Sequence, residues 1–292
     1  MRRIEESGQA LVLVLLSLSV VLTLVLFILS RSITDVAVSS KQEASVRAFS
    51  AAEAGVERAL VIGSNLSSTD IGDASYTTSV TEFASGADLS FPSPVSYGDT
   101  VTVWFVSHDT NRNLSCTSLP CFYGDSPSIK VCWGNSGTPA GAVTTPAIEL
   151  SVYYDSTPGN MATVNIGRTA IDPNVGRRAS NSFISNDGGT CQIGGQTYQF
   201  QKTITFASLG VPAGSYQNAN GLQIAKIRML YNSNASHVVG VSVSGGALPS
   251  QGQKIDSSGV AGDSNRRIVV YQGWPEFPFA SNSILSPVGI TK

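Results

Sequence analysis

The chain has 292 residues, 42% hydrophobic and only 13% charged, about half the charged share of an ordinary soluble domain. Eighteen basic and 20 acidic residues leave a net charge of -2. These values exclude nucleic-acid binding driven by surplus positive charge and exclude a chain disordered throughout.

The averages join two regimes end to end. No charged residue lies between Ser7 and Arg31. Of 28 glycines only Gly8 and Gly55 precede residue 63, and the first of the 13 prolines is Pro92. Turn formers are thus withheld from the first 62 residues and concentrated in the rest. Three regions follow: a short basic segment over 1–8, a helix over 9–62, and a head over 63–292.

Ala10 to Leu29 is a run of apolar residues broken only by Ser17, Ser19 and Thr23. Twenty helical residues span about 30 Å, the thickness of a bilayer core. Hydroxyls in a helix can donate to carbonyls one turn earlier, so these three are tolerable in lipid. Every face of the run is apolar, which argues for a membrane span over a buried core helix. The run exceeds the h-region of a secretory signal, and no A-x-A cleavage site follows it. Basic residues flank it on both sides, Arg2 and Arg3 before and Arg31, Lys41 and Arg47 after, so charge bias does not set its orientation.

The helical pattern continues beyond the span. Ile33, Ala37, Ala44, Ala48, Ala52, Val56 and Ala59 recur at near-helical spacing and predict an apolar stripe on a polar helix. Glu43 and Arg47 stand i, i+4 in the favourable order. Gly63-Ser64-Asn65 reads as the stop. One helix from Gln9 to Ile62 would measure about 80 Å.

Two blocks in this helix carry a family resemblance. Arg2-Arg3 followed by Glu6-Ser7-Gly8-Gln9-Ala10-Leu11-Val12 resembles the start of type IV pilin-like proteins. Ala48-Phe49-Ser50-Ala51-Ala52-Glu53-Ala54-Gly55-Val56-Glu57 resembles the segment closing the N-terminal region of PilX-type minor pilins. The resemblance spans about residues 2–60. It implies a leader cleaved by a prepilin peptidase after Gly8, making Gln9 the first mature residue, and a helix that later packs among other pilin-like subunits on an assembly platform. It also implies a glutamate at the fifth mature position, where this chain carries Leu13. That departure leaves the helix without a carboxylate in lipid and points to a minor or tip subunit rather than the bulk filament protein.

The head reads as strands. Asp99–Val106, Ile148–Tyr154, Tyr198–Phe206, Ile224–Tyr231, Val238–Val243 and Arg267–Tyr271 alternate and are rich in β-branched and aromatic residues. Gly/Pro/Asn clusters punctuate them. Eight to ten strands of this kind predict a mainly antiparallel β-sandwich-like head, hence an α+β chain. Residues 253–271 read as a strand, a polar Gly-rich loop and a returning strand, a form that resembles the C-terminal hairpin of pilin-like heads. Trp274-Pro-Glu-Phe-Pro-Phe279 starts an extended tail.

Cys116, Cys121, Cys132 and Cys191 all lie in the head. An even number in an exported region reads as two disulfides. Three connectivities are possible; the first choice closes a short loop with Cys116–Cys121 and joins distant strands with Cys132–Cys191. The spacing does not match paired zinc ligands. His108 and His237 are the only histidines, each among hydroxyl and amide neighbours. No G-x-S-x-G, phosphate loop, dinucleotide fingerprint, H-E-x-x-H or calcium loop occurs, Asp70, Asp73 and Asp187 included. The expectation is therefore a protein with no catalytic, cofactor or metal site and no nucleic-acid partner. It would be a single-pass membrane protein with an extracytoplasmic head, serving as a minor pilin-like subunit at the cell surface or in a pilus. The competing expectation is a surface binding or adhesion protein on an uncleaved helix; an anchored exoenzyme lacks any acid–base constellation.

Overall fold

The computed structural model describes residues 7–109, 111–117 and 120–276, with side chains from Leu11 onward. Arg2 and Arg3 lie outside the described residues. The chain divides into two compact units, one of Met1–Val80 with Ile255–Val270 and one of Thr81–Lys254 with Tyr271–Lys292. Residues 66–80 and 255–270, within the region expected as head, are thus grouped with the helix.

Helix α1 runs unbroken over Ser7–Ile62, as the absence of proline and the scarcity of glycine allow. It stops where Gly63 takes φ 71° and donates its N–H to Ala59 O at 2.7 Å, the left-handed closure that glycine permits without strain. Asn65 then accepts the Val80 N–H at 2.7 Å and sets the entry to strand β1 (Leu66–Ile71). Strand β1 turns through Gly72-Asp73 into β2 (Ala74–Phe83) and pairs with it antiparallel. Much later in the chain, β12 (Gly252–Ala261) turns through Gly262-Asp263 into β13 (Ser264–Gly273). Both turns place a positive-φ glycine first, φ 59° and 53°, which two-residue hairpins of the II′ kind require. The four strands form one sheet in the order β1-β2-β12-β13.

The second unit is a sandwich. Strands β3 (Asp88–Ser90), β5 (Ser128–Asn135), β8 (Cys191–Ile193), β9 (Gln196–Thr205) and β11 (Val239–Ser244) make a five-stranded sheet, order β3-β11-β5-β9-β8. Strands β4 (Thr100–Trp104), β6 (Ala147–Asp155), β7 (Val164–Ile171) and β10 (Leu222–Leu230) make a four-stranded one, order β4-β10-β6-β7. Every pairing within these two sheets is antiparallel. Their facing side chains share one core: Ile129, Val131 and Trp133 of β5 and Val241 of β11 meet Ile148, Leu150 and Val152 of β6 and Ile227 of β10. Alternation in sequence thus becomes two sides of a sheet, one side buried. The short helices α2 (Val175–Asn181) and α3 (Ala213–Tyr216) occupy connections.

The antiparallel head and the long apolar helix stand as expected. Two details differ. Thirteen strands among the described residues replace the expected eight to ten, because short pieces such as β3 and β8 carry too few residues to alternate visibly. The Gly-rich stretch 256–263 is not a loop: β12 continues through Ser257, Ser258 and Gly259 to Ala261, and only Gly262-Asp263 turns. Small residues there answer a packing need rather than a turn.

Candidate functional site

The feature that sets this chain apart is α1 and the seat that holds its end. From Leu11 to Leu29 every large apolar side chain is exposed, Leu13 at 67%. Among the described residues, this is the one helix long and apolar enough to cross a membrane. Its hydroxyls are internally satisfied: Ser17 donates to Val14 O at 2.9 Å, Ser19 to Leu16 O at 2.8 Å, and Thr23 to Val20 O at 2.9 Å. Each polar group is thereby removed from competition with lipid.

The stripe beyond the span divides into two halves. Ile33 remains 70% exposed, and Ala37 is exposed too. Burial begins at Ala44 and is complete at Ala48, Ala51, Ala52 and Ala59. There the helix lies directly on the β1-β2-β12-β13 sheet. A side chain on Gly55 would come within 2.7 Å of Thr78 Oγ1, and one on Gly259 of β12 within 2.5 Å of Ala52 N. At Gly259 strand backbone therefore meets helix backbone, and only glycine fits; at Gly55 the helix backbone meets the side chains of Ser257, Thr78 and Tyr76, which a Cβ would have to displace. Under Gly55, Thr78 and Ser257 hydrogen-bond to one another at 3.2 Å, both buried, so neither hydroxyl is left unpaired. Val56 and Ala59 pack on Ile255, flanked by Leu60, Leu66, Val80, Ile268 and Val270.

The helix-end block acquires a geometric meaning from this seat. Ala51, Ala52 and Gly55 face the sheet, Ala54 is half-buried, and Glu53 is exposed. Polar ties line the rim: Arg47 reaches Glu43 and Asp73, and Arg266 of β13 donates to Ser45 Oγ at 2.8 Å. Gly8 and Gln9 lie within α1.

The cysteines pair as Cys116–Cys121 and Cys132–Cys191. The second bond links β5 to β8, and Cys132, Cys191, Ile193 and Tyr198 form a small cluster with Val238 apart from the main core. Tyr198 hydroxyl and Ser90 Oγ are 2.7 Å apart, which fastens the same hairpin to β3.

Neither histidine is arranged for proton transfer to a nucleophile. His237 is buried, and its Nδ1 accepts the Asn135 N–H at 3.1 Å; desolvation lowers its pKa. His108 lies between Trp104 and Trp274. No group of three His, Cys, Asp or Glu side chains among the described residues is placed to hold a metal.

A buried ionic cluster escaped the sequence reading. Asp172, wholly buried, receives Arg177 at 3.0 and 2.8 Å on its two oxygens and Asn181 at 2.8 Å. Arg177 also donates to Val143 O and Thr145 O, each at 2.6 Å, and covers the Tyr231 ring at 4.1 Å. Burial pushes the Asp172 carboxyl up, but the bonds from Arg177, Asn174 and Asn181 outweigh it and the net direction is down. The sequence signal was present: Asp172-Pro173-Asn174 precedes α2, and Asn174 caps it through Gly176 N–H at 2.9 Å. The carboxylate closes the connection between β7 and the 136–146 loop, and its role is to hold that end of the sandwich.

Comparison with protein-family models, with curated proteins and with solved structures returns no match.

Proposed function

We propose that the protein is a minor or tip pilin-like subunit that takes part in pilus or pseudopilus assembly and performs no chemistry of its own. The supporting observation is one continuous helix with two unlike halves: an exposed apolar stretch of bilayer length, and a small-residue end seated on a sheet through Ala51, Ala52 and Gly55. Such a helix can stand in a membrane first and among other subunits' helices later, because both environments are apolar. The seat can persist through the change, since it uses no residue of the exposed half. Leu13 fits a subunit that need not pair a carboxylate with a neighbour's N-terminus. In this reading the partners are the membrane, a prepilin peptidase acting after Gly8, the assembly platform and other pilin-like subunits.

Intact mass of the protein purified from its native membranes or sheared filaments is the test. A chain shortened by Met1–Gly8, starting at Gln9, is the expected result. A chain that retains Met1 and never leaves the membrane fraction overturns the proposal and leaves a surface protein anchored by an uncleaved helix.

A further inference from the structure

Trp274-Pro275-Glu276 lies on the sandwich, and several separate contacts hold this tripeptide. The Trp274 indole N–H donates to Ser250 O at 2.7 Å, and its backbone N–H to Gln251 O at 3.3 Å. Its ring stacks on His108 with centroids 4.7 Å apart and planes 18° from parallel. Two residues on, Glu276 Oε2 lies 2.5 Å from Lys226 Nζ, and that lysine is only 5% exposed on β10. The seat is built: Gln251 accepts the Trp104 N–H at 2.7 Å and donates back to Trp104 O at 3.0 Å, so segment 250–251 and the end of β4 move as one piece.

His108 is the sensitive member. Trp104 meets its ring edge-on at 4.5 Å while Trp274 covers a face. Its Nδ1 is buried with no hydrogen-bond partner. A neutral imidazole tolerates that position, whereas an imidazolium would bury a charged Nδ1–H with no acceptor. The surroundings offer little relief. Among the described residues, Asp109, beside it in the chain, is the charge that acts on it, and that carboxylate is taken by the N–H groups of Asn111 and Asn113 at 2.8 Å. Strand β4 and the tail present tryptophans, Ser250 and Gln251 are uncharged, and the Glu276 carboxylate is engaged by Lys226.

We propose that Trp274-Pro275-Glu276 is a latch that acid opens: a proton on His108 breaks the Trp104–His108–Trp274 stack, the tripeptide lifts from its seat, and Lys226 becomes accessible. Linkage sets the window. Desolvation by burial lowers the His108 pKa from 6.5 to about 4 in the closed form, against a small upward pull from Asp109. The open form therefore binds the proton more tightly. Closure keeps its full advantage above about pH 6.5 and loses it as pH falls toward 4, by at most about 100-fold in the closed-to-open ratio after allowing for the ring's partial exposure.

The full-length protein in detergent micelles is followed by hydrogen exchange from pH 7 to pH 4.5, with rates corrected for intrinsic pH dependence. Protection of the Trp274 amide is expected to fall at least about tenfold, while amides of β5 and β9 hold theirs. His108→Phe, which keeps a ring to stack but takes no proton, is expected to retain Trp274 protection at pH 4.5. Unchanged wild-type protection, or an equal loss in the variant, overturns the latch. Should the variant fail to fold, NMR of the wild type decides alone. The His108 ring and the Trp274 indole N–H must titrate together, and separate midpoints overturn the proposal.

Discussion

Gly259 illustrates how a residue's meaning changes between sequence and structure. In sequence it belongs to a Ser/Gly-rich stretch with the composition of a loop. In the fold it lies mid-strand under α1, where a Cβ would press on the helix backbone at Ala48 and Ala52. Gly259→Val is expected to lift the helix from its seat and cost about 3 kcal/mol by overpacking, read as a fall in the thermal midpoint with earlier proteolysis near residue 63. An equal substitution at the neighbouring half-buried Ser258, on the other face of β12, should change less. Asp172 carries the second prediction at this scale. Asp172→Asn leaves Arg177 without its charge partner and should cost about 3 kcal/mol at neutral pH. Because the folded carboxyl titrates below its unfolded value, the wild type holds this stabilisation above about pH 4 and loses it as pH falls further. The difference between wild type and variant in urea unfolding should accordingly shrink in acid; a difference constant down to pH 2 would contradict the assignment.

Among the elements, α1 was the most legible, and β8 the least. A helix of 56 residues announces itself through its apolar run, its stripe and its lack of breakers, each a local property. Its partial stripe was not legible: Ile33 and Ala37 obey the same period as Ala48 and Ala52, yet only the latter pair meets a sheet. Period tells which face is apolar, and only a neighbour decides whether that face is buried. Strand β8 has three residues, too few for any pattern, and is held by Cys132–Cys191 and by its hairpin with β9. The two disulfides differ in what they span, 59 residues against five. In the chain-entropy account Cys132→Ala with Cys191→Ala should destabilise by about 4 kcal/mol and Cys116→Ala with Cys121→Ala by about 2. Urea unfolding of both double variants measures this, and equal losses would show that strand packing, not loop closure, governs the longer link.

Taken whole, the molecule combines an apolar stem with a nearly neutral head. The first 62 residues carry six basic and six acidic side chains, so the net -2 belongs entirely to the remainder. The oxidised cysteine pairs in that remainder, and the one membrane-length helix among the described residues, suggest a single-pass membrane protein with an oxidised head outside the reducing compartment. The sequence by itself determined the helix, the span within it, the strand-rich character of the head and the even set of cysteines, because each rests on periodicity, length or composition along the chain. Only the tertiary structure decided which part of the stripe is covered, what Gly55 and Gly259 press against, how Asp172 finds Arg177, and that Trp274 closes on His108. Ser257 and Thr78 are 179 residues apart and Trp274 and His108 well over a hundred, and contacts of that kind are created by chain crossings that no local pattern encodes.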